Sequence, residues 1–145
     1  MIQKASLEKE EPAVKKLRIP AALLLLLAVL ALSISVGRRP FRTLDPDSIV
    51  SAPVQLTPPG ETLPVPDTAE LAELLQAQVV YRRDGSYTEY DGQAVTFTLE
   101  LTGGATRQVT AYNPFLIIDG VGYRCKYEPC EALNRYANRL LRDAS

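Results

Sequence analysis

Residues 94–112 read AVTFTLELTGGATRQVTAY, and this stretch decides the fold. Its first half alternates apolar with polar side chains, a period of two that is typical of a strand with one dry and one wet face. The apolar members are Val95, Phe97, Leu99 and Leu101. Gly103-Gly104 predicts a tight turn, after which residues 106–112 return as a second strand. The stretch is therefore predicted to be a β-hairpin.

A second hairpin is predicted directly after the first. Asn113-Pro114 breaks the returning strand, and Asp119-Gly120 then joins residues 115–118 to residues 121–127 by a turn suited to positive φ. Along the last strand, alternation places one set of side chains on the face opposite Arg124 and Lys126. That set is Tyr123, Cys125 and Tyr127.

Further strands are predicted on the N-terminal side. Asp84-Gly85, between two tyrosines, suggests a third hairpin. Residues 49–56 form a candidate strand that Pro53 would confine to an edge or a bulge, and residues 62–65 form a short return strand. Together these segments predict an antiparallel sheet of about four to six strands.

Two amphipathic helices complete the predicted domain. Asp67 is placed to cap the first, with Glu70 three residues later able to reciprocate. Its apolar face holds Leu71, Leu74 and Leu75, and it is expected to end near Gln78. The second is expected to open at Glu128-Pro129, and its apolar stripe is Cys130, Leu133, Ala137, Leu140 and Leu141. Helices packed on one sheet predict an α+β fold.

An uncharged segment over residues 19–36 precedes this domain. A helix of that length covers roughly 27 Å, close to the hydrocarbon thickness of a bilayer. We predict a transmembrane helix over residues 19–37. A buried core helix is the alternative, but it would need polar positions on one face. A cleaved signal peptide is disfavoured because Arg38 and Arg39 follow the segment at once.

Basic residues flank this segment on both sides and predict its direction. Five precede it, among them Lys15, Lys16 and Arg18, and three follow it, beginning with Arg38 and Arg39. The excess favours a cytoplasmic N-terminus and a single pass through the cell membrane. The predicted organisation is a cytoplasmic tail over residues 1–18, the span over 19–37, a proline-rich stalk over 38–47 and an extracytoplasmic domain over 48–145.

Composition excludes several classes of site. The 145 residues include no histidine and only two cysteines, so a histidine-based catalytic triad and the common zinc sites are absent. Residues 41–145 carry nine basic and fourteen acidic side chains, a net charge of −5 that disfavours nucleic acid. No cofactor or metal is predicted, and the lipid bilayer is the expected partner, together with a possible membrane protein.

Cys125 and Cys130 are five residues apart, between the last strand and the last helix. One interpretation is a disulfide in an oxidising compartment, since a staple between strand and helix is sterically feasible. The other is two buried thiols, because both positions point inward by their own periodicities.

Tyrosines provide the candidate binding residues. A tyrosine-lined face would supply ring area and hydroxyl groups to a ligand, although tyrosines are also ordinary occupants of half-buried sheet positions. The speculative set is Tyr81, Tyr87, Tyr90 and Tyr112.

Three pairs of acidic residues are near enough in sequence for acid/base chemistry, and each also has a simple structural role. They are Glu89 with Asp91, Asp45 with Asp47, and Glu128 with Glu131. No catalytic constellation emerges from them, and an enzyme is not predicted.

Several strings together resemble a known family. They are SYTEY at 86–90 with Gly92-Gln93, YNPF at 112–115, IDGVGY at 118–123 and YEPCEALN at 127–134. Residues 45–142 are similar to a small extracytoplasmic domain of clostridial-type Gram-positive bacteria. That domain typically follows a lipoprotein signal or one membrane helix. The family has no assigned activity, so the resemblance implies a location but no functional residues. In it, the position of Cys125 is often not cysteine, which weighs against the disulfide.

We therefore expect a membrane-anchored extracytoplasmic binding or sensing module of unknown ligand. A structural or accessory subunit of a larger membrane complex is the alternative, and a hydrolase using paired carboxylates is a minor one.

Overall fold

The structure is a computed structural model that describes residues 20–145, without the side chains of residues 33–35. The chain divides into two compact units, with the boundary between Ser33 and Ile34. Most of helix α1 (Ala21–Ser35) belongs to the first unit, and all the remaining helices and strands belong to the second.

Helix α1 is built from Ala, Leu, Val, Ile and Ser alone. It begins after Pro20, whose carbonyl accepts hydrogen bonds from the amides of Leu23 and Leu24 at 2.8 and 3.3 Å. Its large apolar side chains are exposed, with Leu25 at 68% and Leu32 at 63%. Within residues 20–145, no helix is both long enough and apolar enough to cross a membrane.

The predicted span over residues 19–37 begins just outside the described residues. The predicted cytoplasmic tail lies entirely outside them, as do its flanking residues Lys15, Lys16 and Arg18. The transmembrane helix and the topology drawn from it therefore stay predictions.

The second unit is an α+β domain built on one antiparallel sheet, as predicted. The sheet contains eight strands rather than four to six. Several of them are only three or four residues long, which is too short for alternation to identify them in the sequence. The strands are β1 (Ile49–Ser51), β2 (Val54–Thr57), β3 (Glu61–Leu63), β4 (Val80–Arg83), β5 (Ala94–Leu101), β6 (Thr106–Tyr112), β7 (Phe115–Ile118) and β8 (Val121–Cys125). Their spatial order is β3-β2-β5-β6-β7-β8-β4, and β1 also pairs with β5.

The central hairpin forms as its alternation predicted. Phe97 pairs with Val109 and Val95 with Ala111, and these four side chains lie in the core. On the other face, the hydroxyl groups of Thr96 and Thr110 are 2.9 Å apart. The turn uses positive φ angles of 90° and 86° at Gly103 and Gly104. Period-two patterning therefore specified both the strands and their buried face.

The break predicted at Pro53 is also present, since β1 ends before it and β2 begins after it. Both strands pair with β5, and the register shifts between Ile49 and Ser51. Pro53 itself contributes only an acceptor, its carbonyl binding the amide of Thr98 at 3.0 Å.

The third predicted hairpin is wrong. Strand β4 pairs with β8, and the residues after Asp84-Gly85 form a short 3-10 helix, Ser86–Glu89, instead of a return strand. The Asp84 carboxylate accepts a hydrogen bond from the amide of Ser86 at 2.9 Å, which turns the chain out of the strand. Tyr87 then packs over Gly122 on the sheet face away from the helices.

The two helices are α2 (Thr68–Gln76) and α3 (Tyr127–Ala144). Asp67 caps α2 as predicted, accepting from the amide of Glu70 at 3.0 Å. Glu70 does not reciprocate, since its carboxylate binds Arg139 of α3 at 2.5 Å. Helix α3 contacts α2 and the strands β2, β5 and β6.

The start of α3 also corrects a prediction. Strand β8 ends at Cys125, so Tyr127 opens the helix and is 59% exposed instead of sharing the strand's inner face. Pro129 therefore lies third in the helix, within the first turn, where a missing amide costs little. Tyr136, which the predicted apolar stripe omitted, is buried against Phe97 with a ring separation of 6.3 Å.

The segment predicted as a stalk, residues 38–47, packs against the domain. Arg38 and Val80 exchange backbone hydrogen bonds of 2.7 and 2.8 Å, which extends the edge of β4. Arg39 donates twice to the carbonyl of Gln76, at 2.9 and 2.7 Å. Phe41 is 3% exposed and belongs to the core. Burial of the Phe41 ring stabilises the packing of this segment against the domain. The prolines of the segment had instead suggested an extended stalk.

Candidate functional site

A polar cleft lies at one end of the sheet, between residues 90–93 and the first turns of α3. Its volume is about 220 Å³. Its lining combines an aromatic pair, two carboxylates and three carboxamides. The lining residues are Tyr90, Asp91, Gly92, Gln93, Tyr112, Asn113, Glu131 and Asn134.

A larger groove, about 540 Å³, lies beside the proline-rich loops. Its lining contains three aliphatic residues, three prolines, two hydroxyl residues and no charged group. The lining residues are Val50, Ser51, Ala52, Pro53, Pro64, Val65, Pro66 and Thr68. The smaller cleft therefore carries more of the chemistry that fixes a ligand's orientation.

Gln93 holds one wall of the cleft. Its side-chain amide donates to the carbonyl of Pro58 at 3.0 Å, and its oxygen accepts from Asn138 at 2.8 Å and from Asn134 at 3.4 Å. These bonds join the loop before β5 to the second and third turns of α3. The wall is thus fixed in the absence of any ligand.

Asn113 holds the opposite wall. Its side-chain amide donates to a carboxylate oxygen of Glu131 at 3.0 Å and to the carbonyl of Tyr127 at 3.1 Å. Glu131 has no ion-pair partner among residues 20–145, and the same is true of Asp91, which is exposed. The cleft therefore presents two carboxylates that form no ion pair with a described arginine or lysine.

Two of the four predicted tyrosines, Tyr90 and Tyr112, line the cleft, and Tyr87 shares a contact with Tyr90. Tyr87 and Tyr90 both pack edge-on against Phe115, with centroid separations of 6.2 and 5.2 Å. The hydroxyl of Tyr112 donates to the carbonyl of Tyr90, which fixes the loop that lines the cleft. Tyr81 lies apart on β4, beside Gly37.

Gly92 lies against Tyr112. A Cβ atom at this position would lie 3.4 Å from the ring, an ordinary van der Waals contact. The backbone of this loop therefore packs on the Tyr112 ring without needing glycine there.

Arg124 supports the aromatic cluster from the side. Its guanidinium lies 4.6 Å from the centre of the Phe115 ring and donates to Asp84 at 2.8 Å. Hydrogen bonds from Ser86, and then from Arg124, hold the pKa of Asp84 far below its usual range. The same pairing raises the pKa of Arg124. Arg124 is thus paired with Asp84.

Both cysteines are free and buried, next to the Asn113 wall. The thiol of Cys125 donates to the side-chain oxygen of Asn113 at 3.8 Å, and that of Cys130 donates to the carbonyl of Phe115 at 3.5 Å. The structure therefore has the two buried thiols, the second of the two sequence interpretations.

Members of the predicted acidic pairs have structural contacts or are exposed. Asp45 accepts from the amide of Asp47 and caps a 3-10 turn, while Glu128 lies 3.7 Å from Arg135 on the helix surface. Glu89 is exposed and does not line the cleft. The cleft instead brings Asp91 to the same site as Glu131, a pairing that no local pattern indicated.

The other lining residues have no local pattern that indicates a binding site. Asn113 begins the break between two predicted strands, and Gln93 and Asn134 lie in strings that resemble a family with no assigned activity. Their roles arise from the crossing of residues 84–93 over the sheet, which brings three distant segments together.

Comparison of the chain with models of protein families, with curated proteins and with solved structures gave no match.

Proposed function

We propose that this protein is a membrane-anchored extracytoplasmic binding module, and that its ligand enters the cleft between Tyr90 and Glu131. The proposed ligand is a small amine that also carries hydroxyl groups, such as an amino sugar. The observation that carries the proposal is the presence of two carboxylates, without an ion-pair partner among residues 20–145, beside fixed carboxamides in one cleft.

The carboxylates of the cleft support the proposal that the ligand carries an ammonium group. An ammonium ion supplies three hydrogen-bond donors and no acceptor, so it complements carboxylate oxygens. The lining contains Asp91 and Glu131 and no basic residue. An anionic ligand would be repelled at the same place.

The carboxamides and tyrosines of the cleft support the proposal that the ligand also carries hydroxyl groups. Carboxamides both donate and accept, which suits hydroxyl groups, and the rings of Tyr90 and Tyr112 in the lining offer apolar area to a sugar. Because the walls are already hydrogen-bonded to the domain, little ordering is needed on binding.

The membrane anchor rests on the composition of α1. Every described residue of this helix is uncharged, and its leucines are exposed. Exposed leucines in such number are costly in water and favourable in lipid. The excess of basic residues before residue 19 supports a cytoplasmic N-terminus.

Binding can be tested with glucosamine as the probe and glucose as its uncharged match. We expect glucosamine to shift amide resonances of the full chain, held in detergent micelles, at residues 90–93 and 131–134. Glu131→Gln should weaken glucosamine binding about tenfold, since one charge-assisted interaction is lost. Glu61→Gln on the exposed edge strand β3 is the matched control and should leave binding unchanged.

Equal shifts with glucose would overturn the ammonium part of the proposal, and no shift with either sugar would overturn the ligand class. External protease added to intact cells tests the location, and we expect the C-terminal domain to be cut.

The two alternatives predict different results. An accessory subunit should crosslink in native membranes to one partner in fixed proportion, whereas a free-standing module should not. A hydrolase would turn over its ligand, and alanine at Glu89 and Asp91 should then abolish that activity.

A further inference from the structure

The two thiols meet at the junction between β8 and α3. Cys125 ends the strand, Cys130 lies in the first turn of the helix, and both belong to one core cluster. Their hydrogen-bond acceptors, Asn113 and Phe115, are two residues apart around the turn between β6 and β7. Both sulfur atoms therefore point toward the same short segment.

The two thiols are unequal. The neighbouring Cys130 thiol, which can donate to Cys125 once Cys125 is ionised, lowers the pKa of Cys125 in spite of its burial, and the charge of Arg124 acts in the same direction. The contact with Cys125, reinforced by burial, raises the pKa of Cys130. Cys125 is also the more accessible of the two, at 8% against 1%. It therefore has the character of the attacking thiolate, and Cys130 that of the resolving thiol.

We infer that Cys125 and Cys130 form a redox-responsive pair that closes to an intramolecular disulfide and thereby changes the hydrogen bonding of Asn113 in the cleft. The closing of the pair stands by itself, whereas its effect on binding rests on the function proposed for the cleft.

The oxidant is a small disulfide. The thiolate of Cys125 attacks one of its sulfur atoms, forms a mixed disulfide and releases one thiol. Cys130 loses its proton and attacks the Cys125 sulfur, which releases the second thiol. Two protein thiols are oxidised, and the two electrons and two protons leave on the reduced small thiols.

Asn113 connects this chemistry to the cleft. In the thiol state its side-chain oxygen accepts from Cys125, and its amide binds Glu131 and Tyr127. A disulfide sulfur has no proton, so closing the pair removes the donor from one end of the Asn113 side chain. The amide is then held by one end only, and the position of Glu131 becomes less fixed.

The pair itself is tested by mass spectrometry on the folded full chain in detergent micelles. Oxidised glutathione should lower the mass of the monomer by about 2 Da, the two hydrogens lost, and should protect both cysteines from alkylation after unfolding. Thiols that remain open to alkylation, a chain that stops at one attached glutathione, or a crosslinked dimer would each overturn the inference.

The connection to the cleft is tested through the side-chain amide resonances of Asn113. Oxidation of the natural chain should move them. Cys125→Ser keeps a donor but cannot be oxidised, so its Asn113 resonances should not respond to glutathione. Cys125→Ala should reproduce the oxidised position under reducing conditions. If the alanine variant does not fold, the serine variant still decides the test.

Glucosamine affinity should differ about fivefold between the two states of the natural chain and not at all in Cys125→Ser, as expected for one neutral hydrogen bond. A disulfide that forms without moving the Asn113 resonances overturns the connection to the cleft. A disulfide that moves them while glucosamine binds neither state supports the redox inference and overturns the proposed ligand.

Discussion

Gln78 is fully buried although its side chain is polar. Its amide donates to the carbonyls of Leu74 at 2.8 Å and Pro129 at 2.7 Å, and so ties the end of α2 to the first turn of α3. Among the described residues, its oxygen has no hydrogen-bond partner. The side chain therefore stabilises the fold only as a donor.

Gln78→Glu should destabilise the domain by about 3 kcal/mol or more at neutral pH, because a buried carboxylate would face two carbonyl oxygens. Urea unfolding of the full chain measures this. Gln55→Glu, on the exposed side of β2, is the matched control and should change the free energy of unfolding by less than about 0.5 kcal/mol. Equal effects of the two substitutions would contradict the role given to Gln78.

Asp84 makes the stability of the domain depend on pH. Because its pKa is lowered on folding, it stabilises the domain above its unfolded pKa, near about 4, and that contribution is lost as the pH falls toward the folded pKa. Asp84→Asn should therefore lower the free energy of unfolding at about pH 7, and its difference from the natural chain should shrink below about pH 4. Unfolding curves across this range check the sign, and Glu61→Gln should show no such trend.

Helix α3 shows what a residue pattern can predict. Leu133 and Ala137 are buried as their spacing indicated. The same spacing puts Asn134 and Asn138 on another face, which periodicity alone predicts to be exposed. That face is covered by residues 90–93, which bond to both side chains through Gln93. Helical periodicity identifies the core side, but it cannot show which distant segment covers the rest.

Residues 84–90, at the scale of an element, form a cover over the sheet face opposite the helices. Phe115 is buried, but by Tyr87, Tyr90 and Arg124 instead of the main core. The cover approaches β8 so closely that a Cβ atom at Gly122 would lie 2.5 Å from the carbonyl of Asp84.

Gly122→Ala should therefore displace the cover and destabilise the domain by about 1–3 kcal/mol, as overpacking does. Thermal unfolding gives the stability, and tyrosine fluorescence reports the displaced rings. Gly85→Ala is the control, since a Cβ atom there meets nothing within 4 Å. Should Gly122→Ala behave like Gly85→Ala, the cover would have to be loosely held.

The hairpins could be predicted, while the cover could not. Residues 94–112 carry a strong local alternation, and both glycines of the turn have the positive φ that favours them. Asp84-Gly85 has the same composition as a hairpin turn. The path of the chain at this dipeptide is set by Arg124, forty residues away, whose guanidinium binds the Asp84 carboxylate. A long-range ion pair of this kind leaves no periodic signal in the sequence.

The segment over residues 38–47 should behave as part of the domain. Phe41→Ala is expected to destabilise it by about 3–5 kcal/mol, the usual cost of truncating a buried phenylalanine. The neighbouring Thr43 is exposed, so Thr43→Ala serves as the control. Chemical unfolding of both variants makes the comparison, and similar stabilities would restore the interpretation of these residues as a stalk.

For the whole molecule, the strongest expectation is that it sediments with membranes and resists extraction by alkaline carbonate. Leu25→Lys should weaken membrane retention, because a charge at a helix centre opposes insertion by about 2.5–3.5 kcal/mol. Val50→Lys is the control, since Val50 is an equally exposed apolar residue, at 64%, on the domain. Recovery of the natural chain in the supernatant without detergent would contradict the membrane anchor.

Both edge strands of the sheet are protected from pairing with another chain. On one side the outermost strand, β3, is only three residues long and starts with Glu61, while on the other the backbone of Arg38 already occupies part of the free rim of β4. Edge strands that are short or already hydrogen-bonded leave few free backbone groups with which a strand of a neighbouring copy could pair. Crowding should therefore not drive this domain into fibres, and a protein partner must be bound through side chains.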